Sequence, residues 1–183
     1  MRWFVVCCLI LATSCSDEPL EVYDTIGGDF VLHDQFGSEY QLSAHNGKIR
    51  LLFFGFTHCP DVCPTTLVEV KEVWQQLSHE QQQQIEILFA SVDPERDSGD
   101  LLRDYLNSFD LPVIGLRGSE AEMLKITEQY GSYYEKVQLD SALSYTIDHS
   151  SQTYVIDEQG KIRGLVAYDQ PPSALLELLK RLL

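Results

Sequence analysis

Positive charge is scarce in this chain. Its 183 residues include 13 lysines and arginines against 28 aspartates and glutamates, a formal net charge of −15. That balance argues against nucleic acid or an anionic lipid surface as a partner, because clustered cations grip both. Solubility accounts for the acidity; a negative field also raises the local cation concentration, but it selects no metal. Cysteine is sparse too, at five residues: Cys7, Cys8, Cys15, Cys59 and Cys63. Three of these lie at the N-terminus, so the body of the chain keeps one close pair. A bridge across so short a loop would constrain the unfolded chain little. That excludes a disulfide-stapled scaffold and leaves redox chemistry or metal binding for the pair. The N-terminal apolar run, Trp3 to Ala12, is too short for a comfortable membrane span. No internal repeat is present.

That N-terminal run has the layout of a secretory signal: Arg2, an apolar stretch, then the small residues Thr13 and Ser14. Leu11-Ala12-Thr13-Ser14-Cys15 resembles a bacterial lipobox, whose cysteine becomes a lipidated N-terminus, although Leu is usual where Ala12 stands. The expectation is a signal peptide over 1–15 ending in a lipidated Cys15, a polar linker over 16–23 and one domain over 24–183. Ordinary cleavage and an uncleaved anchor are the other outcomes. On this reading the protein is exported to a bacterial cell envelope and held close to the membrane. An apolar content of 44% suits one domain with a real core.

Phe30 to Leu42, turning at Asp34-Gln35-Phe36-Gly37, reads as a small hairpin. Ile49 to Phe54 is almost continuously apolar, broken by Arg50, as a strand covered on both faces would be. Gly55 to Cys63 reads as a loop. A helix is predicted from Pro64, since proline suits the first helical position and disfavours helix before it. Leu67, Val70, Val73, Trp74 and Leu77 give that helix an apolar stripe, best explained as core packing. Ile85 to Val92 reads as a second buried strand, and Val113 to Gly115 as a short one. Gly99 to Asn107 and Ser119 to Tyr130 read as helices. Leu139 to Ser144 reads as a mobile stretch. Ser151 to Asp157 and Lys161 to Val166 form a strand, turn and strand. Pro171-Pro172-Ser173 then opens a last helix with leucines on its core side. This order predicts an α/β fold with a central mixed sheet flanked by helices. A cysteine pair at a strand-to-helix turn points to the thioredoxin arrangement.

The turn reads Phe56-Thr57-His58-Cys59-Pro60-Asp61-Val62-Cys63-Pro64. Unpaired N–H groups at a helix start favour thiolate, the form that attacks disulfides and binds metal. Three residues separate the sulfurs, where thiol–disulfide exchangers usually have two. The wider loop lets both chelate one ion without forcing a tight disulfide. Two sulfurs rarely complete a site. The candidate third ligands are His33, His45, His58, His79 and His149. His45 and His79 lie in polar surroundings that suit solvated side chains. His58 adjoins Cys59, and neighbours do not easily face one ion. His149 lies where a loop is expected to enter the sheet, and a lone histidine is more often structural than a ligand. Sulfur with imidazole suits Cu(I), Cu(II) or Zn(II). A structural zinc site takes four protein ligands and this chain offers three good ones, which favours copper or an open site.

Three stretches carry a resemblance. Gly55 to Leu67, Ser91-Val92-Asp93-Pro94-Glu95-Arg96-Asp97, and Tyr145-Thr146-Ile147-Asp148-His149 with the following Tyr154 to Asp157 and Gly160 closely resemble the signature of the Sco/SenC family. Ile26 to Phe30 and Asp34 to Gly37 resemble the family's opening hairpin. The resemblance covers roughly residues 24–183, in the family's order. It implies a membrane-tethered thioredoxin-like domain binding one copper ion through Cys59, Cys63 and His149. It also implies delivery of copper to the binuclear centre of cytochrome c oxidase, or reduction of that centre's cysteines. The partners it implies are a copper-receiving oxidase subunit or another cuproprotein, and a copper donor or thiol reductant.

Blander roles are assigned to the other motif residues. Asp61 is read as a helix cap, Asp93 and Asp97 as a turn cap and a solvated charge, and Asp148 as a carboxylate that could orient His149. Two functions follow. In copper carriage nothing is turned over and His149 is a ligand. In thiol–disulfide exchange Cys59, nearer solvent, attacks, Cys63 resolves and His149 is dispensable. A peroxidase is a weaker third, because the Thr57-His58-Cys59 spacing does not match the peroxiredoxin pattern. A His149 with no job in simple exchange ranks carriage first.

Overall fold

The computed structural model describes residues 20–140 and 144–183. The expected signal peptide, Cys15 and residues 16–19 of the linker lie outside the described residues, as do positions 141–143 of the stretch read as mobile. Strands β1 (Val31–Asp34) and β2 (Glu39–Gln41) lead to β3 (Ile49–Gly55), helix α1 (Val62–Trp74), the short α2 (His79–Gln82) and β4 (Ile85–Ser91). Helix α3 (Gly99–Asn107), β5 (Val113–Arg117) and α4 (Glu120–Gln129) follow. The chain ends with β6 (Tyr134–Gln138), β7 (Tyr145–His149), β8 (Thr153–Ile156), β9 (Ile162–Val166) and α5 (Pro172–Leu182). Among the described residues no helix is long and apolar enough to cross a membrane.

Seven strands form one mixed sheet in the order β2-β1-β5-β4-β3-β8-β9. Strands β3, β4 and β5 run parallel, while β1, β8 and β9 run antiparallel to their neighbours. All seven residues of β3 are buried, because β4 and β8 flank it and both faces are covered. On one face α1, α3 and α5 bury Leu67, Leu102 and Leu179 against Leu51 and Phe89. On the other, Met123 and Ile126 of α4 pack with Phe54, Leu88 and Tyr154. This is a thioredoxin-like fold. Serines 78, 98 and 119 cap three helices, each hydroxyl accepting an N–H one turn in.

Arg50 does not break the β3 run as its charge suggested. Its side chain is wholly buried, and its guanidinium donates to the carbonyls of His45 and Lys48 and to Asn46. The main departure from the sequence pattern is β6 and β7. They pair antiparallel, Tyr134 opposite His149 and Gln138 opposite Tyr145, in a hairpin separate from the main sheet. Charged residues interrupt both strands, and only Ile147 is buried, so no clear alternation marks them.

Candidate metal centre

The site forms where β3 ends and α1 begins, at the carboxyl end of the parallel strands. The helix starts at Val62, two residues before Pro64, so Cys63 lies in its first turn instead of ahead of it. Proline is tolerated there because N–H groups in that turn lack helical partners anyway. Asp61 occupies the cap position, but its carboxylate caps nothing. One of the free N–H groups, that of Cys63, donates instead to the Cys59 sulfur at 3.4 Å. Gly55 makes room for this arrangement: a Cβ there would stand 2.7 Å from Cys63 Sγ.

Cys63 is buried at 1% exposure, while Cys59 is partly exposed, and both are free thiols. His149 lies on β7, not in a loop, and its Nε2 stands 3.8 Å from Cys63 Sγ. Its Nδ1 lies 2.9 Å from the Ser150 carbonyl. An Nδ1–H donated to that carbonyl leaves the Nε2 lone pair facing the sulfurs. Asp148 does not hold His149; it accepts from the Tyr133 hydroxyl. Phe56 sets its ring edge against the imidazole, 5.8 Å between centroids.

Among the described residues, Cys59, Cys63 and His149 offer three ligand atoms within 4.8 Å of one another. Metal–sulfur bonds of about 2.3 Å and metal–nitrogen bonds of about 2.0 Å hold the donors of one ion within about 4.6 Å. The three residues therefore fit one soft cation with little movement. The other histidines are elsewhere: His45 bonds to Glu86 and stacks on Tyr40, so it is not simply solvated, and His79 bonds to Gln83. An open groove of about 400 Å³ runs beside the site between the thiol turn and the hairpin, lined by Pro60, Val62, Val137 and His149.

The two sulfurs are electrostatically unequal. The Cys63 thiol, donating to Cys59, does most to hold the Cys59 thiolate; burial opposes it, and the N–H groups of Cys63 and Asp61 help. Together they bring Cys59 down to about 4. The same bond, burial and the Cys59 charge push Cys63 far up. The pair therefore holds a single proton over the neutral range, and a bound cation would replace it.

Asp93 and Asp97 correct the sequence reading most sharply. Neither is solvated; both are wholly buried. Asp97 accepts from the Thr57 N–H, the Thr57 hydroxyl and the Ser91 hydroxyl, tying the thiol turn to the end of β4. Burial raises its carboxyl, partly offset by these donors. Asp93 accepts from Arg96 and from the Tyr145 hydroxyl. His58, Asp93 and Asp97 also lie within 4.8 Å of one another, but donors already occupy all four carboxylate oxygens. That group is a hydrogen-bonded knot and not a second cation site.

Fold and site together define a thioredoxin-like domain that presents two thiols and an imidazole at one end of its sheet. A family model for SCO1/SenC matches residues 19–183. The chain is 36% identical over 182 residues to the SCO2-like protein of Rickettsia felis, covering 94% of this chain and 87% of that one. ScoI of Bradyrhizobium japonicum, solved with copper bound, has a TM-score of 0.77 and 39% identity, covering 86% of this chain and 99% of that one. Copper-bound ScoI of Arabidopsis thaliana has a TM-score of 0.78 and 30% identity, covering 85% and 97%. The chain belongs to the SCO1/SenC family.

Proposed function

We propose that the protein is a copper carrier. Cys59, Cys63 and His149 take one copper ion per chain, as Cu(I) or Cu(II), and pass it to a copper-receiving subunit of cytochrome c oxidase or another cuproprotein. One observation carries this reading: His149 sets Nε2 3.8 Å from a buried sulfur, where disulfide exchange has no use for it. Copper is cargo, not a resident cofactor, and the partly exposed Cys59 beside an open groove suits handover. The copper-bound relatives and the soft donor set support the choice of metal. We place the protein on the outer side of a bacterial membrane, with residues 1–15 as its signal and Cys15 as its lipid anchor. Anaerobic titration of the reduced protein with Cu(I) and Cu(II) tests the site. One ion should bind tightly per chain, and Cys59→Ala and His149→Ala should each weaken it. Affinity indifferent to His149→Ala would remove the histidine and sink the three-ligand reading.

A second reading rests on the depressed Cys59 thiolate. It would attack a partner disulfide and release one partner thiolate; Cys63 would then attack Cys59, releasing the second and leaving a Cys59–Cys63 disulfide. The partner gains the two electrons that the pair loses. Magnitude counts against this as the main role. A thiolate at about 4 is a weak nucleophile compared with one near ambient pH. Metal binding does not depend on nucleophilic attack; it needs only that the cation displace the Cys63 proton.

A further inference from the structure

The β6–β7 hairpin carries His149 yet takes no part in the seven-stranded sheet. Something else must set its position, and the contacts converge on Arg96. Its guanidinium lies over the Tyr145 ring, 3.7 Å from the centroid, and its Nη1 donates to the Tyr145 carbonyl at 3.0 Å. Its Nε donates to Asp93, and the Tyr145 hydroxyl donates to that same carboxylate at 2.7 Å. Arg96 and Asp93 belong to the segment after β4, Tyr145 to the start of β7. Lys136 of β6, its ammonium 5.4 Å from the Tyr145 ring centroid, adds an ion pair to Glu95 at 2.8 Å. Tyr145 and His149 are four residues apart on one strand, so they share a face about 13 Å apart. Arg96 also lies over Phe56, 5.8 Å from its centroid, and Phe56 meets the imidazole.

We propose that Arg96 and Tyr145 are positioning residues for the third ligand: they latch the hairpin to the body and so hold His149 Nε2 at Cys63. The proposal rests on the copper-site reading above. The guanidinium serves ring, carbonyl and carboxylate at once, which a lysine ammonium cannot do in that geometry. A pinned strand keeps the imidazole beside the sulfurs before metal arrives, so binding does not first have to order it.

Two measurements on the reduced protein test this. In the metal-free protein, Arg96→Gln and Tyr145→Phe should speed amide hydrogen exchange over residues 134–138 and 145–149 while leaving β3 and β4 protected. In Cu(I) competition titrations Arg96→Gln should lose about 10- to 100-fold in affinity, as loss of a group supporting a metal ligand typically does, with a smaller loss for Tyr145→Phe. Arg96→Lys should recover only part of the affinity. Neither variant should weaken binding further when combined with His149→Ala, because the latch acts through that imidazole. Unchanged hairpin exchange, wild-type affinity, or an equal loss in the His149→Ala background would each overturn the latch alone. No copper binding by the wild type, or binding indifferent to His149→Ala, would overturn the latch and the copper-site reading together.

Discussion

Adding one methyl group at Gly55 should unseat the buried sulfur. A Cβ at this position meets Cys63 Sγ at 2.7 Å and two Phe89 ring carbons at 3.0 Å. Unstrained contacts begin near about 3.5 Å, so these neighbours must retreat by half an ångström or more. Neither has room: Cys63 and Phe89 are 1% and 0% exposed, and Phe53 and Tyr105 hold the Phe89 ring at 5.1 and 5.9 Å between centroids. Overpacking of this kind costs about 1–3 kcal/mol. Lower entropy of the unfolded alanine chain offsets about 0.4–1 kcal/mol. Midway through both ranges the net cost is about 1.3 kcal/mol, so at roughly 2–4 °C per kcal/mol for a chain of this size Gly55→Ala should melt about 3–5 °C below wild type. Metal sites tolerate ligand displacements of only about 0.2 Å, so Cu(I) affinity should fall by about tenfold or more. Thermal unfolding and competition titration of the reduced protein read both effects. Combining Gly55→Ala with Cys63→Ala removes the nearest clashing atom and should shrink the stability penalty. Wild-type melting and affinity in Gly55→Ala, or a penalty that Cys63→Ala leaves untouched, would refute the steric argument.

Cys59 should react with iodoacetamide well below the pH at which ordinary thiols stop, its rate falling only near pH 4. Over the window from about 4 to about 8.5 the unfolded Cys59 keeps a proton that the folded one has lost, so reduced protein should gain stability as pH rises. Denaturant midpoints measured against Cys59→Ala check the sign, and parallel profiles would contradict it. Asp97→Ala strands three donors from Thr57 and Ser91; it should cost about 1–3 kcal/mol and speed exchange of the Thr57 amide. Protection equal to wild type would show that Asp97 does not hold the thiol turn. Arg50→Met leaves the His45 and Lys48 carbonyls without their donor and should cost about 2–4 kcal/mol in urea unfolding.

Much of the fold was legible because its causes are local. Six of seven positions in Ile49–Gly55 are uncharged and mostly apolar, and the α1 stripe recurs at helical spacing. The thiol turn was legible for the same reason: both sulfurs and the helix start that favours thiolate lie within a few residues. Some readings missed by little. The helix took in Cys63 because Pro64 costs nothing in a first turn, and Asp61 left its capping role to the Cys59 sulfur.

The remaining features depend on burial and on approach across the chain. Arg50, Asp93 and Asp97 look like surface charges in the sequence, yet each is 0% exposed, because what covers them comes from distant segments. The sequence by itself determined a strand–dithiol–helix unit with thiolate chemistry; its spacing left five histidines open as the third ligand, and the family resemblance pointed to His149. Only the tertiary structure decided how that imidazole reaches the sulfurs. It brings His149 across 86 residues to Cys63 on a hairpin with little apolar pattern, positioned by an arginine, a tyrosine and a buried carboxylate. Local spacing writes the reactivity of neighbouring groups, whereas completing a ligand set needs atoms that meet only when the chain has closed.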